Sequence, residues 1–153
     1  MTRMQTLQTL LEREQERRDQ ARNMLSQVQQ QLDAGRRQAQ VLDDYRGEYQ
    51  ARWQGQFAQG GAIEILRCYQ GFIVRLDSAI TQQGLQVQGL ENALAQAMKR
   101  VQEREIRVAT VERLISRHAA QLRAVAERRE QKNMDEFAMR RRVSGGGLGM
   151  RLA

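Results

Sequence analysis

Two ribbons of apolar residues, each repeating every seven positions, constrain this chain more than any other feature. Stepping alternately three and four residues from Met4 reaches Leu7, Leu11, Glu14, Arg18, Ala21, Leu25, Val28, Leu32, Gly35, Ala39, Leu42, Arg46, Tyr49 and Trp53. Eleven of those fifteen positions are apolar or aromatic. A second ribbon starts at Leu66 and runs through Tyr69, Ile73, Leu76, Ile80, Gln83, Val87, Leu90, Leu94, Ala97, Val101, Arg104, Val108, Val111, Ile115, His118, Leu122 and Val125. Fifteen of its eighteen positions fit. Spacing of this kind, held over so many heptads, buries a narrow stripe against another helix and winds the pair left-handed. The chain contains no proline, so nothing in either ribbon forces a break.

Between the ribbons lies Gln54-Gly55-Gln56-Phe57-Ala58-Gln59-Gly60-Gly61, where three glycines within seven residues permit a reversal. A short connection between long amphipathic helices makes them antiparallel neighbours. The fold class expected is therefore all-α, a long antiparallel two-helix coiled-coil hairpin. Its domains are a hairpin over 1–139 (helix 2–53, turn 54–61, helix 62–139) and a flexible, basic, glycine-rich tail over 140–153. At about 1.5 Å per residue the helices span roughly 75 and 110 Å, which makes a rod.

A turn centred near Ala58 sets Met4 opposite Val111 and Leu42 opposite Ile73. In that register Ile115, His118, Leu122 and Val125 overhang with no facing helix, and a seam is stable only with one. The overhang then either self-associates or docks another protein. Gly84 and Gly89 interrupt the second helix, through bending, close helix approach or simple tolerance. His118, with no cysteine or acidic ligands neighbouring it, is a packed or half-exposed seam side chain rather than a metal ligand.

Composition agrees with long helices and argues against both an ordinary globule and disorder. Mean hydropathy is −0.71, 28% of residues are charged, and only seven are aromatic, while Ala, Gln, Glu, Arg and Leu dominate. The net charge of +7 is concentrated late: residues 99–139 hold ten basic and seven acidic side chains, and the tail from Arg140 holds four basic and none acidic. Such charge either meets an acidic partner surface or is a solvated helix face. No nucleic-acid partner is expected, because the bases are mixed with acids and Phe137 is the one aromatic there. Cys68 is alone, which excludes an intrachain disulfide and favours a reducing compartment. With no signal peptide or spanning segment in view, a cytoplasmic location is expected.

Six aromatics crowd the turn: Tyr45, Tyr49, Trp53, Phe57, Tyr69 and Phe72. Gln38, Leu42, Tyr45 and Tyr49 share one helix face, as do Phe72, Leu76, Ala79 and Gln83. Two readings stand: a patch for binding a partner, or a thickened core that keeps the hairpin end from fraying. No Walker A loop, dinucleotide loop, nucleophile elbow or Cys–His constellation is present, and the chain is read as a non-enzyme without cofactor or metal.

With its size, its two seams, the stretch Tyr45-Arg46-Gly47-Glu48-Tyr49 through Trp53, and Tyr69-Gln70-Gly71-Phe72-Ile73-Val74-Arg75-Leu76, the chain resembles the flagellar export protein FliJ family. The resemblance covers most of the chain, and its specific part is 42–80. It implies a fold similar to the central stalk of rotary ATPases. It further implies a non-catalytic component of flagellar type III protein export that inserts in the hexameric export ATPase ring and links it to the export gate. Such a protein also escorts and recycles export chaperones, and sits in the cytoplasm at the inner face of the membrane. Carried over by position, the gate-binding face is Gln38, Leu42, Tyr45, Tyr49, Phe72, Leu76, Ala79 and Gln83, the last departing from the histidine common in the family. The ATPase-facing residues are Arg113, Ile115, Arg117, Leu122, Arg123 and Val125. A virulence type III secretion stalk protein shares the architecture, and a homodimeric structural coiled coil is the rival of another class.

Overall fold

The computed structural model describes residues 2–146. Two helices account for almost all of them: α1, Arg3–Ala58, and α2, Ile63–Gly146. They pack antiparallel as a coiled-coil hairpin, the all-α fold expected from the two ribbons. Two compact units can be distinguished, residues 16–105 and the described parts of 1–15 and 106–153.

The start of α1 is fixed by a reciprocal cap. The Gln5 backbone N–H donates to Thr2 Oγ1 (3.2 Å), and the Thr2 N–H donates to Gln5 Oε1 (3.0 Å). This is a capping box, satisfying two donors that the first turn would leave without partners. At its other end α1 runs through Gly55 to Ala58, five residues further than the glycine spacing suggested. It stops where Gly60 takes a φ of +87°, a left-handed conformation that costs glycine nothing and side-chain-bearing residues much. The Gly60 N–H donates back to the Phe57 carbonyl, and Ala62 accepts from Ile65 and Leu66 to open α2. The turn is thus the short stretch 59–62. Downstream, α2 continues to Gly146, so Arg140–Ser144 are helical where a flexible tail was expected; the rest of that tail, 147–153, lies outside the described residues.

In the unit 16–105 the seam is the one read from the sequence, except that Leu66, where the second ribbon was expected to start, is exposed beside the turn. Every predicted α1 position from Arg18 to Trp53 is buried or half-buried, and so is every α2 position from Tyr69 to Arg104. Phe57 extends the α1 ribbon by one more step and is half-buried too. Leu32, 1% exposed, is the most completely enclosed side chain, with Ala21, Leu76 and Val101 also buried. In the other unit Val108, Val111 and Glu14 are buried.

The expected register requires correction. A turn centred near Gly60 and Gly61, not Ala58, shifts every cross-hairpin pairing by twice the offset. In one unit Tyr49 meets Phe72, and counting back in equal helical steps brings Leu42 level with Ala79 rather than Ile73. In the other unit Arg3 and Leu7 share a cleft with Leu114, Arg117 and His118, so Met4 does not face Val111. Ile115 and His118, expected to overhang, are accordingly half-buried. The His118 ring is a packed seam group whose Nδ1 is buried without a hydrogen-bond partner. The segment without a facing helix begins later, and all residues from 120 to 145 are exposed, Leu122 and Val125 among them.

Close helix approach does not explain Gly84 or Gly89, since a Cβ built at either would meet nothing within 4 Å. Both are exposed helix-interior positions. Replacing each with alanine should therefore stabilise the hairpin by about 0.5–1 kcal/mol, by lowering the entropy of the unfolded chain. Urea melts of Gly84→Ala, Gly89→Ala and the double variant check this; a midpoint that falls would show a constraint on the backbone there.

Candidate functional site

The eight residues carried over as a gate-binding face all lie in the unit 16–105, where ring contacts bring Tyr45, Tyr49 and Phe72 together. Stepping back from the Tyr49–Phe72 contact by four, three and four residues on both helices sets Tyr45 level with Leu76, Leu42 with Ala79 and Gln38 with Gln83. Because the steps match on both helices, the eight residues count out as four rungs, with Leu42, Tyr49, Leu76 and Gln83 in the seam and Gln38, Tyr45, Phe72 and Ala79 beside it.

The rungs are not equally accessible. Gln38 and Tyr45 (46% exposed) are open to solvent, while Leu42, Tyr49, Phe72, Ala79 and Gln83 are half-buried. Leu76 is 7% exposed and belongs to the hairpin's own core. A substitution at Leu76 therefore reports on folding and says little about a docking surface. Gln83 is a polar seam residue with an internal partner, its Nε2 donating to the Gly35 carbonyl at 3.0 Å. Gly35 is buried at this point, and a Cβ there would stand in ordinary contact with Leu90 Cδ1 (3.4 Å) and Val87 Cγ2 (3.5 Å).

The aromatic residues form a continuous chain of rings, anchored on Tyr49. Its ring lies 4.5 Å from Phe72, 5.6 Å from Tyr69, 5.9 Å from Trp53 and 6.1 Å from Tyr45. Tyr45 also meets Phe72 edge-on at 6.2 Å, while Phe57 closes the cluster against Trp53 and Tyr69. These separations fall in the range where offset and edge-to-face ring pairs attract beyond simple burial. The rings divide into those that pack against one another and one that stays open to solvent. Tyr49, Trp53, Tyr69 and Phe72 thicken the core beside the turn, and Tyr45 carries aromatic surface outward from it.

An ion pair that the sequence reading missed sits within this region. Arg46 occupies a seam position and pairs with Asp77 through Nε–Oδ1 and Nη2–Oδ2, and Arg46 Nη1 donates to Gln50 Oε1 at 3.1 Å. The hydrogen bond and charge of Asp77 push the Arg46 pKa further up. The available signal was the arginine itself: a charge at a seam position needs a partner that compensates its partial burial.

The candidate ATPase-facing residues belong to the other unit. Arg113, Arg117, Leu122, Arg123 and Val125 are exposed and Ile115 is half-buried, so they do not form one uniform surface. Among the described residues no group of three or more His, Cys, Asp or Glu side chains is placed to hold a metal, and no helix is long and apolar enough to cross a membrane. Cys68 is exposed and forms no disulfide among the described residues.

The chain is similar to known flagellar proteins. The family model described as "Flagellar FliJ protein" matches residues 4–146. The chain is 31% identical over 137 residues to the flagellar FliJ protein of Salmonella typhi, covering 90% of this chain and 91% of that one. It is 30% identical over 135 residues to the flagellar FliJ protein of Escherichia coli (strain K12), covering 88% and 90%. No solved structure gives a significant match. With the family pattern running from one end of the coiled coil to the other, the chain belongs to the flagellar FliJ protein family.

Proposed function

We propose that the chain is a non-catalytic component of flagellar type III protein export that works by holding partners along a helical hairpin. In this reading the flank built from Gln38, Leu42, Tyr45, Tyr49, Phe72, Leu76, Ala79 and Gln83 receives the cytoplasmic domain of the export gate. The part of α2 that includes Arg113, Ile115, Arg117, Leu122, Arg123 and Val125 engages the export ATPase ring. Export chaperones are further partners, and the protein acts in the cytoplasm, associated peripherally with the membrane through the export apparatus. The carrying observation is that Tyr45 keeps nearly half its surface in solvent while its ring is held by Tyr49 and Phe72. A rigid, pre-positioned aromatic of this kind loses little entropy on binding, which favours a role as an interface anchor.

Tyr45→Ala is the test, since it removes the exposed ring and leaves the core aromatics in place. Calorimetric titration against the gate's cytoplasmic domain should show affinity reduced about tenfold or more, with helicity unchanged. Gln38→Ala, on the outermost rung, should weaken binding less. Undiminished binding by a folded Tyr45→Ala protein would remove the assignment. For the ring, replacing both Leu122 and Val125 with aspartate should reduce assembly of the ATPase hexamer by sedimentation; unchanged assembly would place its contact elsewhere.

A further inference from the structure

The flank that carries the aromatic rungs does not end at Gln38. Counting every seventh residue from Tyr45 gives Gln38, Gln31, Met24 and Arg17 on α1, and from Phe72 gives Ala79, Gln86, Ala93 and Arg100 on α2. A heptad position keeps its side of the seam along a coiled coil. The far half of this flank holds two adjoining clefts with shared walls. One, of about 490 Å³, is bounded by Arg17, Ala21, Met24, Arg100 and Arg104, and the other, of about 150 Å³, adds Val28, Ala93 and Ala97.

These clefts follow directly from the side chains. Ala21 and Ala97 are seam residues, and Ala93 lies beside the seam, so three short side chains line a stretch where longer ones elsewhere fill the surface. Met24 stands along the wall with 51% of its surface in solvent. A flexible thioether at such an edge adapts its shape to an incoming apolar side chain. The lining rows extend from 17 to 28 on one helix and from 93 to 104 on the other, about 16 Å or three helical turns on each. A furrow between two helices, with that length and heptad spacing, has the geometry that accepts a third helix.

Charge sets the occupant's character. Three arginines line the larger cleft and no acidic residue lines either. Two neighbouring carboxylates are already engaged by other arginines, Asp19 by Arg18 at 3.1 Å and Glu105 by Arg22 at 3.0 Å. Arg100 forms no ion pair among the described residues. We infer that the furrow bounded by Arg17, Met24, Ala93 and Arg100 docks an acidic amphipathic helix of another protein. Its apolar face lies on the alanines and Met24, and a Glu or Asp side chain meets Arg100, since Arg17 and Arg104 already have partners within the chain. The surface is separate from the eight-residue face assigned to the export gate and does not depend on that assignment.

The test uses the full chain with Met and Ala methyls isotopically labelled. The probe is a synthetic helical peptide of about three heptads with leucine on one face and glutamate along both edges; the control carries lysine for glutamate. The glutamate peptide should bind saturably, move the Met24, Ala93 and Ala97 methyl resonances, and lose affinity roughly tenfold in Arg100→Glu. Arg100→Lys should retain binding, and the lysine peptide should recover affinity for Arg100→Glu. Met24→Asp, at a position already open to solvent, should weaken the glutamate peptide while leaving the circular dichroism unchanged. Tyr45→Ala should leave this binding as it was, which separates failure here from failure of the gate assignment. The inference is overturned by absence of saturable binding, by shifts confined to residues 45–72 or 122–143, by indifference to Arg100→Glu, or by tighter binding of single-stranded RNA or anionic vesicles to the same methyls.

Discussion

Replacing Leu32 with alanine is expected to destabilise the hairpin by about 3 kcal/mol, within the range for emptying a well-enclosed leucine site. Leu32 is 1% exposed, and its ribbon neighbours Val28 and Gly35 are respectively half-buried and without a side chain that could swing into a void. A two-helix hairpin buries one narrow stripe and has little stability in reserve, so a loss of this size is a large fraction of the total. Urea unfolding followed by circular dichroism measures it, with Leu85→Ala as the comparison, because Leu85 is 64% exposed and should cost far less. Equal losses at the two leucines would mean that Leu32 is not enclosed.

The second large effect is expected at Tyr49. It contacts four other rings, more than any other aromatic in the cluster, and it is half-buried. Tyr49→Ala should cost about 2–3 kcal/mol, less than a fully buried aromatic because part of the ring already meets solvent. Its loss should also change the emission of Trp53, the one tryptophan, whose ring lies 5.9 Å away. Tyr49→Phe keeps the stacking surface and should retain most of the stability. Tyr45→Ala removes two ring contacts from an exposed residue and should cost about 1 kcal/mol or less. That ordering separates the two roles of the cluster, core at Tyr49 and surface at Tyr45. If both variants unfold at the same urea concentration, the division fails.

Much of this molecule was legible in the sequence because a coiled coil encodes its core as a period. Positions such as Arg18, Gly35, Gln83 and Arg104 were assigned to the seam by spacing alone, against their residue type, and all are buried or half-buried. The turn was less legible. Gly55 reads as a helix breaker, yet an exposed glycine costs only about 1 kcal/mol and α1 runs through it. What stops α1 is the left-handed conformation at Gly60, which glycine at any of the three positions could have supplied. Since each residue of error in the turn counts twice in the pairing, a small misplacement moved Leu42 from Ala79 to Ile73. Helical residues beyond Arg140 were missed for the same reason, the penalty of glycine being overestimated near Gly145 and Gly146.

The candidate face was legible as a pattern and illegible as a surface. Helical spacing set its eight residues at neighbouring levels of the two helices, but spacing does not tell which of them face inward. Leu76 is core, and Tyr45 is open, because they sit at different heptad positions relative to the partner helix. The Arg46–Asp77 pair was hidden because Asp77 lies outside the ribbon, and only the corrected register brings it opposite Arg46.

The central claim is that α1 and α2 lie antiparallel with Tyr49 level with Phe72, so that residues far apart in sequence build one flank. Spin labels placed in pairs on a Cys68→Ser background test it most directly. Arg36 and Glu91 are bridged by an ion pair at 3.2 Å, and Arg22 and Glu105 by one at 3.0 Å. Labels at each matched pair should give short, narrow and similar distances by pulsed electron spin resonance. Labels at the crossed pair, positions 22 and 91, should be displaced by about 21 Å along the helix axis and give a clearly longer distance. A crossed pair as close as the matched pairs, or matched pairs that differ widely from each other, would contradict the hairpin register and with it the flank on which the functional reading stands.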